Sequence, residues 1–218
     1  MYFASRAQAG RMLARQIAKK YSHESCAIVA LNDGGVVVGA QIAVQLHAVL
    51  TLLVSADIDL PQEPAALASI TPSGTWAYNQ QYTQGEISEL ASEFRGFVEQ
   101  EKLTRMHELN AHLGVSNTIK SNLLTDRTVI LVADGLETGT LLDLAYEFLK
   151  PIKLKRTVVA TPLATVPAVD RMHVMADDLF CLSVVGDYME TDHYYDRKDV
   201  PDHETVVKVI EQLIQKWK

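Results

Sequence analysis

Val129-Ile130-Leu131-Val132-Ala133-Asp134-Gly135-Leu136-Glu137-Thr138-Gly139-Thr140-Leu141 decides the fold of this chain. Its four leading apolar residues, two Val and one Ile among them, spell a buried parallel strand. A small residue and a carboxylate end that strand. Gly135 and Gly139 then bracket a tight turn, and Thr138 and Thr140 bring hydroxyls into it. From Thr140 to Lys150 the apolar spacing turns helical, through Leu141, Leu144, Ala145, Phe148 and Leu149. Strand, Gly/Thr loop and helix start together offer backbone N–H groups and a positive dipole end to a phosphate. Glycine lets the backbone approach such an anion closely. The same residues also suit an ordinary βα turn with nothing bound.

Outward from this stretch, strands alternate with helices. Ser5 caps an amphipathic helix that runs to Lys20, with Ala9, Met12, Leu13 and Ile17 on its apolar side. Cys26 to Leu31 is a strand, Asn32-Asp33-Gly34-Gly35 a tight turn, Val36 to Leu46 a helix and Val49 to Val54 a second strand. Residues 56–80 read as a flap, with strands at Leu67 to Ile70 and Thr75 to Tyr78 around Pro72-Ser73-Gly74. One long helix is expected from Glu86 to Leu113, weakened at Gly96 and closed by Gly114. His107 and His112 lie on its polar face at a spacing of five, which is not that of a helical metal pair. After Pro151 come a strand at Thr157 to Ala160, a loop at Pro162 to Pro167, a helix at Val169 to Met175 and a strand at Asp178 to Leu182. Gly186 to Asp202 is polar and aromatic, suited either to stacking a planar base or to packing as a surface loop. Asp202 caps a C-terminal helix over 203–217.

The 218 residues suffice for one α/β domain with a sizeable core, and 48% hydrophobic content excludes a disordered chain. The net charge of −7 and the lack of any basic block argue against nucleic acid or an anionic membrane as partner. Cys26 and Cys181 sit among apolar residues, as free thiols do in a reducing compartment. No stretch has the form of a signal peptide or a bilayer span, so a cytoplasmic location is expected.

The central stretch resembles the phosphoribosyl-pyrophosphate signature of type I phosphoribosyltransferases: an apolar strand, two acids, two apolar or small residues, then a Thr-Gly loop. Asp134 matches the second acid, and Thr138 and Gly139 match the loop. Leu31, Gly34, Gly35 and Val36 fit the family's first loop, which holds pyrophosphate. Phe3, Arg6, Ala9, Gly10, Leu13 and Ala14 match the opening of one bacterial group of such proteins, and Ala176 to Leu182 matches a late strand. The resemblance implies a parallel sheet flanked by helices with a small hood, as one domain over 1–218, and a homodimer. It implies that Gly135, Leu136, Thr138, Gly139 and Thr140 hold a ribose 5-phosphate group. It also implies that Asp134 holds the ribose and, through it, Mg²⁺. Glu137 stands where purine enzymes of this fold carry a general base, although a helix N-terminal carboxylate is favoured by the dipole alone.

The main departures fall on the pyrophosphate side and on half the ribose clamp. Ala133 replaces the first acid, Leu141 a loop Thr, Asp33 the loop cation, and Ala56-Asp57 a basic pair. A carboxylate about 5 Å from a phosphate charge costs on the order of 3 kcal/mol at an effective dielectric near 20. A divalent ion shared by Asp33, Asp57 and Asp134 would be one rescue. The sequence therefore suggests a phosphoribosyltransferase-like protein that binds a phosphorylated ribose or nucleotide with weak or lost transfer. The alternative is a non-catalytic regulator or scaffold on the same fold.

Overall fold

The computed structural model describes residues 2–113 and 119–216. In chain order its elements are α1 (Arg6–Tyr21), β1 (Cys26–Ala30), α2 (Asp33–Leu46), β2 (Val49–Leu52), β3 (Ala56–Ile58), β4 (Ala68–Ile70), β5 (Trp76–Tyr78), α3 (Gln84–Glu93), α4 (Arg95–Leu113), β6 (Thr128–Val132), α5 (Thr140–Leu149), β7 (Arg156–Thr165), α6 (Val166–Met175), β8 (Asp178–Val185) and α7 (His203–Lys216). Gly114 and Trp217, expected at two helix ends, lie outside the described residues. The packing falls into two compact units, one of Met1–Leu53, Ile119–Glu137 and Ile152–Lys218, the other of Val54–Thr118 and Thr138–Pro151.

The first unit is built on a parallel sheet of five strands in the order β2-β1-β6-β7-β8. β1 and β6 are buried at every residue, which is why both read as unbroken apolar runs. α1 packs on α2, β7 and β8, α2 on β1, β2 and β6, α6 on β7 and β8, and α7 on α2 and β2. Ser5 caps α1 by accepting from Gln8 N–H, and Asp202 accepts from Thr205 N–H at the start of α7. Parallel strands place their following loops along one carboxyl edge of the sheet, where sites of α/β folds are made.

Several boundaries differ from the sequence reading. Asn32-Asp33-Gly34-Gly35 is not a free turn. Asn32 is an N-cap whose side chain accepts from Gly35 N–H at 2.7 Å, and Asp33 begins α2. The same residue types serve turns and caps, so composition alone does not separate the two. Pro162 lies inside a strand, not in a loop. The register of β7 with β6 ends at Ala160, so the missing N–H breaks no ladder on that side, while Thr161 and Leu163 still face Cys181 and Ser183. Thr165 then caps α6, with Pro167 in its first turn.

The second unit carries an antiparallel sheet, β3-β4-β5, with α4 against β3 and β4 and α5 against β4 and β5. Two of these strands are legible in the flap sequence, and β3 is not. Gly74 turns between β4 and β5 at φ +85°. The long helix is two helices, because Phe94 leaves helical geometry between Glu93 and Arg95, with Gly96 in the first turn of the second helix. Thr83 and Glu86 close a capping box on α3. Leu60, Leu67, Ala68 and Val98 form the core here, flanked by Trp76, Tyr78, Leu90 and Phe94.

Candidate functional site

Asp134 stands two residues past the end of β6, buried at the carboxyl edge of the sheet. Its Oδ2 accepts from Arg6 Nε at 2.6 Å, and its Oδ1 accepts from Asn32 Nδ2 at 2.8 Å. Arg6 is 1% exposed although it belongs to an amphipathic helix. Its other guanidinium nitrogens reach Asp192 and Asp199, the latter at 3.2 Å, and its backbone N–H also donates to Asp199. The Tyr195 ring lies 4.4 Å from the guanidinium carbon. Burial opposes the Arg6 cation, but the Asp134 charge and the hydrogen bonds to Asp134, Asp192 and Asp199 outweigh it and raise its pKa.

This ion pair lies on the first turn of α2. A Cβ on Gly34 would collide with the Asp134 carboxylate, and one on Gly35 would come within 2.6 Å of Val132 O. Both glycines are therefore required by close packing, and a carboxylate of the protein itself covers the turn that the resemblance assigns to pyrophosphate.

The segment after β8 wraps over the same place. Tyr195 Oη donates to Asp134 O at 2.6 Å. Phe3 N–H donates to Tyr194 O, and Asp196 N–H to Phe3 O, so the N-terminus holds the segment down. Phe3, Tyr194 and Tyr195 are buried with Ala9 and Leu163, so these two tyrosines are core rather than base-stacking residues. Tyr188 and Thr191 share a hydroxyl–hydroxyl hydrogen bond of 2.7 Å directly over Gly135. A Cβ at Gly135 would collide with Tyr188 Oη and come within 2.9 Å of Thr191 Cγ2. Burial, then the negative charges of Asp134 and Glu137, push the Tyr188 phenol up to about 12. The Glu137 side chain is exposed, and its carbonyl accepts from Thr165 Oγ1 at 2.8 Å.

In the second unit, Gly139 is the N-cap residue of α5 and supplies no side-chain cap. Thr138 Oγ1 donates to Thr140 Oγ1 at 3.1 Å, and Thr140 Oγ1 to Asn79 Oδ1 at 3.2 Å. Thr140 is thus a tie to the small sheet. Asp57 accepts from Ser69 Oγ at 2.6 Å.

The family model for the phosphoribosyl transferase domain matches residues 2–195. The chain belongs to this family. The phosphoribosyl transferase domain is 28% identical over 183 residues to Mycobacterium tuberculosis proteins from two strains, each named "Putative phosphoribosyl transferase". That alignment takes in 83% of the chain but only 40% of the relatives' length. Among solved structures it is similar to TT1426 of Thermus thermophilus, with a TM-score of 0.70 at 24% identity over 100% of this chain and 99% of the other. A hypoxanthine phosphoribosyltransferase of Staphylococcus aureus aligns at a TM-score of 0.50 and 13% identity, over 86% of this chain and 78% of the other. These structural likenesses show that the domain has the type I phosphoribosyltransferase fold. No helix among its described residues is long and apolar enough to cross a membrane.

Among the described residues no three His, Cys, Asp or Glu side chains group as a metal site, and each Asp134 oxygen accepts one hydrogen bond, from Arg6 and from Asn32. Sequence reasoning also misses the role of Arg6, Tyr188, Thr191 and Tyr195 around the loop. Arg6 matches the family opening, and an arginine among the small residues of a helix face is the one available signal.

Proposed function

We propose that this phosphoribosyl transferase domain binds a ribose 5-phosphate moiety, from a sugar phosphate or a nucleotide, at residues 134–140, with transferase activity weak or lost. The observation that supports this reading is the engagement of Asp134. A carboxylate neutralised by Arg6 and hydrogen-bonded by Asn32 is poorly placed to grip ribose or to assist metal binding. Transfer needs charge stabilisation at the anomeric carbon and at the leaving pyrophosphate. Here Ala133 and Asp33 offer neither. The glycines and threonines of the loop, and a first turn of α5 whose N-cap residue Gly139 has no side chain to cap it, still suit a single phosphoryl group.

Isothermal titration of ribose 5-phosphate, a nucleoside monophosphate and phosphoribosyl pyrophosphate, each with and without Mg²⁺, tests the reading. The monophosphates should bind more tightly, with no dependence on the metal. A clear Mg²⁺-dependent preference for phosphoribosyl pyrophosphate, or pyrophosphate release on adding a base, would overturn it. Binding of none of the three would leave a scaffold or regulator on the same fold.

A further inference from the structure

The segment between β8 and α7 contributes three side chains to two consecutive backbone positions, Asp134 and Gly135. Tyr195 hydrogen-bonds the first, and Tyr188 and Thr191 cover the second. Arg6 fixes this arrangement from the other side through Asp192 and Asp199. The Tyr188–Thr191 pair contains two hydroxyl protons and uses one of them internally. One donor is left over, next to the residue that follows the engaged acid. The phenol stays protonated throughout the physiological range, so that donor is permanent.

The charge around it selects the class of group it would meet. Asp134, Asp192 and Asp199 face Arg6, with the exposed Lys198 4.0 Å from Asp192, and Glu137 lies beside them on the loop, so four carboxylates outnumber two cations. A second phosphate is repelled there. A neutral hydroxyl, which both donates and accepts, is not. Resting on the ribose 5-phosphate reading above, we propose that Tyr188 and Thr191 contact a sugar hydroxyl and take over the ribose grip that neither Ala133 nor the engaged Asp134 supplies.

The test is calorimetric titration of ribose 5-phosphate and of inorganic phosphate into the wild type, Tyr188→Phe and Thr191→Val, with thermal melting as the check on folding. Tyr188→Phe should lose about fivefold in affinity for ribose 5-phosphate, the scale of one hydrogen bond, and little for inorganic phosphate. Thr191→Val should behave likewise, which keeps the test open if one variant does not fold. If both variants fold and the ratio of the two affinities is unchanged, the proposal is overturned while the phosphate reading stands. Equal losses for both ligands would also overturn it, since the pair would then merely shape the loop. If the wild type binds neither ligand, the underlying reading fails and the sugar contact fails with it.

Discussion

Arg6 Nε and Asp134 Oδ2 stand 2.6 Å apart with side-chain exposures of 2% and 5%. Removing water from two charges is costly, and the geometry compensates only because every guanidinium nitrogen finds a carboxylate. Breaking such a pair from one side leaves a charge stranded. Arg6→Met is therefore expected to cost about 3–5 kcal/mol of stability, read from urea unfolding at pH 7. Arg6→Lys should recover only part of it, because an ammonium group cannot span three carboxylates as a planar fork does. A loss below about 1 kcal/mol for Arg6→Met would show that the cluster is surface-like in its energetics.

How much of this is legible in the sequence follows from the range of each interaction. The β6 strand, its loop and α5 are readable because period and glycine placement are local properties. So is the parallel sheet, from the alternation of elements. The burial of Arg6 is not, since its partners lie 128, 186 and 193 residues away. A basic residue in an amphipathic helix is ordinarily solvated, and only tertiary packing makes this one an exception. The cover on Gly135 is unreadable for the same reason. Tyr188 stands out as an aromatic on a polar segment, but the sequence does not say which backbone atom its hydroxyl approaches. Pro162 misleads because a proline cannot be placed without knowing where the neighbouring strand stops.

Gly135→Ala should destabilise the fold by about 1–3 kcal/mol, the usual cost of overpacking. The added methyl meets Tyr188 Oη and the Thr191 side chain. In a Tyr188→Phe background the penalty should fall, because the nearest atom is gone. It should not vanish, because Thr191 remains. Equal penalties in the two backgrounds, measured by chemical unfolding, would mean that the loop moves away freely.

Alkaline pH gives a separate readout. The Tyr188 phenol is raised to about 12, chiefly by burial, against about 10 when unfolded. The unfolded chain thus loses this proton first. Stability from the shift is complete below pH 10 and declines as pH rises toward 12, by up to about 1.4 kcal/mol per pH unit. Burial raises Tyr195 as well, so it adds to the decline in the same direction. Unfolding midpoints between about pH 8 and 11.5 should show the fall, and Tyr188→Phe should make it shallower. A slope identical in the variant would place the alkaline sensitivity elsewhere.

Restoring the family's charges should not succeed equally at both positions. Asp33 is half-buried in the first turn of α2, so Asp33→Arg opens no cavity and forfeits the helix-end benefit of a carboxylate, about 0.5–1 kcal/mol, together with the interaction Asp33 makes in the fold. It replaces a repulsive charge with a fork of donors matched to phosphate oxygens. Affinity for phosphoribosyl pyrophosphate relative to ribose 5-phosphate should rise by roughly tenfold or more. Ala133→Asp is different. Ala133 is 1% exposed, and a Cβ on Gly35 would already lie 3.2 Å from its Cα. A second carboxylate there is buried beside Asp134, while Arg6 is fully occupied by three others. The expected cost is about 3 kcal/mol or more, well above that of a typical surface change. The double variant should therefore melt lower than Asp33→Arg and bind no better. If Ala133→Asp instead leaves stability intact and adds affinity, the end of β6 has room for a second acid, and the Arg6 cluster is not what closes the site to pyrophosphate.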